Sequence, residues 1–138
     1  MVSCRRQGVI ARQKKFYNIG KAGCYLDCLV KISERFMRSV FSLEAVYDAA
    51  LAKGWMQEDC WILDPAAIMQ YLTGVRWTVR HEEVGYKPVD GDNIIQRWEW
   101  KSPNGTQGHF TLPDYDPYGE SETRKNGDIV SYRILRRA

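Results

Sequence analysis

Cysteine and histidine are the residues of this sequence whose types and positions could support nucleophilic chemistry. Cys24 follows a basic, glycine-containing segment and precedes an apolar stripe at helical spacing that includes Leu26, Leu29 and Phe36. This pattern predicts that Cys24 lies in the first turn of a helix. A helix N-terminus stabilises a thiolate and lowers a thiol pKa from its usual value of roughly 8.5. Most free cysteines are small core residues, so this position allows either a reactive thiol or a packed one.

The chain has two histidines, His81 and His109, and a Cys-His pair must use one of them. His109 is the better candidate because it stands near the start of a predicted strand, directly after Gly108. We expect this small neighbour to leave room for a substrate. His81 ends an alternating strand pattern and is followed by two acidic residues, which is typical of a solvated edge residue.

A carboxylate could orient the imidazole of His109 through the turn that follows its strand. If the turn at Pro113-Asp114 has two loop residues, Thr111 faces Asp116, and Asp116 becomes a diagonal neighbour of His109 on one sheet face. Proline does not suit the primed turns that such hairpins prefer. Asp114 is therefore the alternative if the register shifts.

Helical and strand patterns divide the chain into two halves. Helices are predicted from Tyr25 to beyond Arg38 and over residues 42–54 and 64–74, with Ser42 and Asp64 as N-caps. Strands are predicted over residues 75–80, 94–100, 108–112 and 129–135, with turns between them. Helices followed by an antiparallel sheet predict an α+β domain.

The length and the charge of the chain limit the classes of protein to which it can belong. A chain of 138 residues with 44% hydrophobic content suits one domain, 1–138, with residues 1–17 as a basic N-terminal arm. The four cysteines do not form a disulfide pattern, and we find neither a signal peptide nor a membrane-spanning run. We therefore expect a cytoplasmic protein that does not insert into membranes. The net charge of +3 is too small to predict nucleic-acid binding.

The order of these motifs resembles the papain-like cysteine peptidases. A Cys at a helix start, then Gly108-His109-Phe110 at a strand, then Asp116-Pro117-Tyr118-Gly119 after the next turn are most similar to the compact branch that contains the bacteriocin-leader (double-glycine) peptidases. The resemblance covers the order of elements along the whole chain, whereas its specific motifs are short. It implies a papain-like α+β fold and a bacterial or phage origin.

The resemblance also implies roles for individual residues. Cys24 would be the nucleophile, His109 the general base and acid, and Asp116 the group that orients the imidazole. In that family a Gln about six residues before the nucleophile helps to hold the oxyanion, and Asn18 stands there instead. Tyr25 follows the cysteine, where Gly or Trp is more usual. The implied activity is hydrolysis of a peptide, protein or cell-wall peptide without a cofactor.

Two other interpretations use the same residues. The chain could be a catalytically inactive papain-like domain that binds a peptide or protein in the former cleft. A metal site from Cys24, Cys28 and His109, or from Cys60 and His81, lacks the paired C-x-x-C pattern of strong zinc motifs, so we predict no metal. Cys28 and Cys60 are predicted to be structural.

Overall fold

The computed structural model describes residues 22–119 and 126–138. In chain order, its elements are helices α1 (Cys24–Met37), α2 (Leu43–Ala52) and α3 (Pro65–Thr73), and strands β1 (Trp77–Glu83), β2 (Asn93–Ser102), β3 (Gly105–Thr111) and β4 (Asp128–Arg137). The predicted α+β class, with helices before an antiparallel sheet, is confirmed. The predicted basic arm, 1–17, and Asn18 lie outside the described residues.

Helix α1 begins at the predicted position. Cys24 is its first residue, and Gly23 precedes it as the N-cap without a side-chain capping bond. Leu26 and Leu29 on the apolar stripe are completely buried. The helix ends at Arg38, which adopts a left-handed conformation with φ 53° and ψ 47°. The stripe therefore fixes which face of α1 enters the core and, with it, the direction in which Cys24 points.

The caps of α2 and α3 follow the sequence prediction. Ser42 accepts a hydrogen bond from the backbone N–H of Ala45 at 3.2 Å, and Asp64 accepts one from Ala67 at 3.0 Å. Gly74 ends α3 with φ 76°, a conformation that glycine adopts without a steric penalty. These local interactions set the helix boundaries independently of the sheet.

The four strands lie in the order β1-β4-β2-β3, and all pairings are antiparallel. The last strand of the chain, β4, therefore lies between β1 and β2. Strand β3 is an edge strand, and α1 packs against it as well as against α2 and α3. This contact between α1 and an edge strand brings the start of the helix close to the residues of β3.

One apolar cluster contains residues from all three helices and from the sheet; its completely buried members include Leu26, Leu29, Met69, Ile95 and Leu135. Within residues 22–119 and 126–138, no helix has the length and apolar character needed to cross a membrane.

Buried hydrogen bonds of Thr73 join the end of α3 to β1. Thr73 at the end of α3 donates through Oγ1 to the carbonyl of Met69 at 2.7 Å and accepts from the indole Nε1 of Trp77 at 2.8 Å. Both Thr73 and Trp77 are buried. A buried donor without an acceptor costs about 1–3 kcal/mol.

We expect Thr73→Val to lower the free energy of unfolding by about 1–3 kcal/mol because the indole N–H of Trp77 loses its acceptor. The measurement is chemical denaturation followed by tryptophan fluorescence and circular dichroism. Thr78→Val is the matched control, since Thr78 is exposed and its hydroxyl donates to the carbonyl of Arg136 at 3.3 Å. Equal effects of the two changes would contradict the importance of the contact between Thr73 and Trp77.

Candidate active site

Cys24 is placed at the junction of α1 and β3. Its side chain is a free thiol that is only 7% exposed. Burial by itself raises the pKa of Cys24, but the hydrogen bond and charge of His109 and the backbone N–H groups of Phe110 and Tyr25 outweigh burial and lower the pKa overall. A lowered pKa favours the thiolate, which is the nucleophilic form.

His109 and Asp116 form a buried pair. The distance between His109 Nε2 and Asp116 Oδ1 is 2.7 Å, and the side chains are 1% and 7% exposed. The turn at Pro113-Asp114 has two loop residues, as Leu112 and Tyr115 form a bridge on either side of it. The hairpin register anticipated from the sequence is therefore present, and it brings Asp116 to His109.

Asp114, the alternative partner, is excluded by its position. It is exposed, and its Oδ1 lies 3.0 Å from Nη1 of Arg35 on α1. The side chain of Arg35 lowers the pKa of Asp114 through this hydrogen bond. Of the two candidates, Asp116 is therefore the one whose carboxylate lies next to the imidazole.

The orientation of the His109 ring distinguishes its two nitrogens. Nε2 faces Asp116. Nδ1 is buried and, among the described residues, has no partner at hydrogen-bond geometry. Burial lowers the pKa of His109, but the interactions with Cys24 and then Asp116 outweigh this effect and raise the pKa overall. The two opposite shifts favour a thiolate next to an imidazolium. Contacts of this kind are often loose before a substrate binds.

Tyr118 covers the imidazole and was not singled out by sequence reasoning. Its ring stacks on that of His109, with centroids 4.5 Å apart and planes at 13°. Its backbone N–H donates to Asp116 Oδ1 at 2.9 Å, so the same residue also holds the carboxylate. Burial, followed by the negative charge of Cys24, raises the pKa of Tyr118. The sequence signal for Tyr118 was its position as an aromatic residue two positions after Asp116, a candidate partner of the imidazole.

The hairpin that carries Asp116 is attached to α1 by the preceding residue. The hydroxyl of Tyr115 donates to Asp27 Oδ2 at 3.1 Å, and Lys31 lies over the Tyr115 ring at 4.8 Å. Burial raises the pKa of Asp27. Asp27 and Lys31 lie one turn apart on α1, and Asp27 lies within one turn of Cys24, so one helix positions both the thiol and the carboxylate.

A cleft of about 510 Å³ opens beside the thiol. It is lined by residues that include Cys24, Cys60, Trp61, Arg97, Phe110 and Arg133. Clefts of about 300–1,000 Å³ are typical of small-molecule or short-peptide sites. The guanidinium groups give this cleft a basic character that the sequence analysis did not identify.

The remaining cysteines have structural surroundings. Cys28 is completely buried, and burial raises its pKa well above that of a free thiol. Cys60 is buried in the loop before α3 with φ 69°, and burial raises its pKa to about 11. His81 is exposed, lies 3.1 Å from Glu83 and lines the cleft away from Asp116. Among residues 22–119 and 126–138, no three His, Cys, Asp or Glu side chains are grouped to hold a metal.

The sequence of this chain matches the model of a known protein family. A family model described as "Protein of unknown function, DUF261" matches residues 10–137. The chain belongs to the DUF261 family. No curated protein and no solved structure matches this DUF261 chain. The family description names no activity, so the geometry of the site is the basis for a function of this DUF261 member.

We expect the pKa of Cys24 to lie below the value of roughly 8.5 for a free thiol, and His109→Ala to raise it. In the unaltered protein, the thiolate of Cys24 should then still react below about pH 8.5. Its reactivity should be lost only as the pH falls through the lowered pKa of Cys24. The measurement is the rate of alkylation by iodoacetamide as a function of pH, read by mass spectrometry. A Cys28→Ala background leaves one thiol in the tryptic peptide between Lys21 and Lys31.

Cys60 serves as an internal control in the same experiment, because burial raises its pKa to about 11 and it should react far more slowly at neutral pH. If Cys24 titrates like a free thiol both with and without the His109 imidazole, the two side chains are not coupled.

Proposed function

We propose that this protein is a cysteine peptidase or amidase of papain-like fold. The observation that carries the proposal is the buried pair of His109 and Asp116, with 2.7 Å between Nε2 and Oδ1, which leaves Nδ1 for Cys24. The fold supports it as well, because the thiol starts a helix, the imidazole lies on the adjacent edge strand and the carboxylate follows the next turn. These are the positions that the resemblance to papain-like peptidases implies.

In the proposed reaction, the thiolate of Cys24 attacks the carbonyl carbon of a peptide or amide bond. The negative charge that develops on the carbonyl oxygen is stabilised by the backbone N–H of Cys24, the first residue of α1. The carboxamide of Asn18 is the proposed second donor. The imidazolium of His109 gives its Nδ1 proton to the leaving amine, and a thioester of Cys24 remains.

Hydrolysis completes the cycle. The neutral imidazole of His109 takes a proton from water, and the resulting hydroxide attacks the thioester carbonyl. The carbon–sulfur bond breaks, the acid product leaves, and the proton on His109 balances the charge of the regenerated thiolate. Asp116 stabilises the imidazolium and keeps the ring orientation through Nε2. Tyr118 contributes by shielding this hydrogen bond on one ring face.

A second candidate function is a papain-like module that binds a peptide or protein without cleaving it. The observations that favour it are the 7% exposure of Cys24 and the stacking of Tyr118 on His109, which restrict access to the thiol. Both candidates use the same cleft. They differ in whether the bound peptide is cleaved.

We expect the protein to cleave a subset of peptides in a mixed proteome digest, with new termini detected by mass spectrometry. Cys24→Ala should abolish cleavage, and His109→Ala should slow it by about 10²- to 10⁴-fold because proton transfer is lost. Asp116→Asn keeps the size and an acceptor oxygen but removes the charge that stabilises the imidazolium, so it should slow cleavage by a smaller factor.

Asp114→Asn is the matched control for the carboxylate, because it makes the same change at an exposed position of the same turn. If His81→Ala abolishes cleavage and His109→Ala does not, His109 is not the base. If the unaltered protein retains specific peptides without cleaving them, the binding-module function replaces the peptidase.

A further inference from the structure

Two arginines share the cleft with the candidate nucleophile. The guanidinium carbons of Arg97 and Arg133 lie 4.8 and 5.5 Å from the ring centroid of Phe110. Phe110 directly follows His109, and its backbone N–H contributes to the low pKa of Cys24. The two guanidinium groups therefore lie next to the residues that activate the thiol.

Strand pairing places these arginines on one face of the sheet. Arg97 on β2 is opposite Phe110 on β3 and Ser131 on β4, and Arg133 follows Ser131 by two positions. Residues that face each other across strands, or that are two apart on one strand, share a face. Arg97 and Arg133 are thus held side by side on the two central strands.

Gly108 provides the space for Arg97. A Cβ atom at this position would lie 2.0 Å from Nη2 of Arg97 and 2.3 Å from Cζ. The guanidinium of Arg97 lies against Gly108, and Gly108 also lines the cleft beside Cys24, so the expectation that this glycine leaves room for a substrate stays a prediction. Glycine at this position allows the guanidinium of Arg97 to lie against the backbone of β3 next to His109.

Among the described residues, the positive charge of the two arginines is only partly balanced. Arg97 Nε lies 3.8 Å from Glu99, and Arg133 donates to Ser131 Oγ at 3.0 Å and to the carbonyl of Tyr132 at 3.2 Å. In residues 22–119 and 126–138, no carboxylate lies within ion-pair distance of Arg133. Burial lowers the pKa of Arg133, and the charge of Arg97 lowers it further, whereas Tyr25 and Glu83 act in the opposite direction without outweighing burial.

The other charged groups of the cleft have partners of their own among the described residues. Asp59 accepts a hydrogen bond from the backbone N–H of Trp61 at 3.1 Å. Arg80 lies 3.6 Å from Glu82 and donates to Tyr86, and His81 is paired with Glu83. An anionic ligand would complete the hydrogen bonding of two guanidinium groups, which match the geometry of a carboxylate.

We propose that Arg97 and Arg133 form a carboxylate-binding subsite that selects peptides with an acidic side chain near the bond held at Cys24. An internal side chain is favoured over a C-terminal carboxylate, because the cleft continues beyond the arginines to Val79 and His81 on β1. The cleavage of such peptides rests on the proposed function, whereas their binding does not.

The first test compares two alkylating agents of nearly equal size, anionic iodoacetate and neutral iodoacetamide, at Cys24. We expect Arg97→Gln and Arg133→Gln each to lower the ratio of the iodoacetate rate to the iodoacetamide rate by about threefold at low salt, as Coulomb's law gives for loss of one nearby charge. The difference should shrink in high salt. Arg97→Lys keeps the charge and should keep the ratio.

Lys101→Gln is the matched control, because Lys101 is an exposed cation of the same strand outside the cleft. The inference is overturned if the ratio changes as little in the arginine variants as in this control. It is also overturned if both rates fall together, since the arginines would then act on the thiolate itself and not on the anion.

The second test does not require a reactive thiol. The peptides Ac-Ala-Glu-Ala-NH₂, Ac-Ala-Gln-Ala-NH₂ and Ac-Ala-Ala-Ala-OH are titrated into the Cys24→Ala protein, and the Nε–Hε signals of Arg97 and Arg133 are followed by NMR. Shifts with the Glu peptide alone support an internal acidic side chain. Shifts with Ac-Ala-Ala-Ala-OH alone, or equal shifts with Gln and Glu, contradict the proposal. If Cys24 is unreactive and the protein still binds the Glu peptide selectively, the proposed peptidase activity is wrong and the proposed carboxylate-binding subsite is supported.

Discussion

The buried hydrogen bond between His109 and Asp116 is the interaction on which the candidate site depends. A carboxylate that is 7% exposed requires a partner, because an unpaired charge away from water is strongly destabilising. Asp116 obtains hydrogen bonds from the imidazole and from the backbone N–H of Tyr118. These bonds are possible only if the turn has two loop residues and the hairpin lies against α1. The contact of Tyr115 with Asp27 provides that second condition.

Access to the thiol and the charge of the cleft are linked by this arrangement. Tyr118 covers one face of the His109 ring, whereas the cleft beside Cys24 extends over Phe110 towards the arginines. The guanidinium groups of Arg97 and Arg133 line the same cleft as the thiol. The cleft beside Cys24 therefore combines the thiol at the start of α1 with cationic side chains from β2 and β4.

The sequence predicted those features that depend on local interactions. The N-caps Ser42 and Asp64 and the position of Cys24 at a helix start follow from short-range patterns, and the structure contains them. The pairing of His109 with Asp116 was also accessible, because both lie in one hairpin. The strand boundaries were less accurate: β1 begins at Trp77 and continues through His81 to Glu83, as it pairs along its length with β4.

The basic cleft could not be predicted in the same way, because it depends on pairing between distant parts of the chain. Strand β4 lies between β1 and β2, and only this order places Arg133 beside Arg97. No periodic pattern within β2 or β4 indicates which strand will be its neighbour. The contact between Gly108 and Arg97 could not be predicted for the same reason, since the arginine side chain comes from another strand.

The central position of the last strand has a consequence for the whole site. Antiparallel partners lie on both sides of β4, which supplies Arg133 and, through Ser131, the register opposite Arg97. The helix with the thiol contacts the edge strand β3, and β3 is joined to the rest of the sheet through β2, whose other neighbour is β4. Long-range strand pairing must therefore form before the cleft exists, even though the His109–Asp116 hairpin is local. The thiol of Cys24 and the guanidinium groups of Arg97 and Arg133 come to line one cleft only when the C-terminal strand is in place.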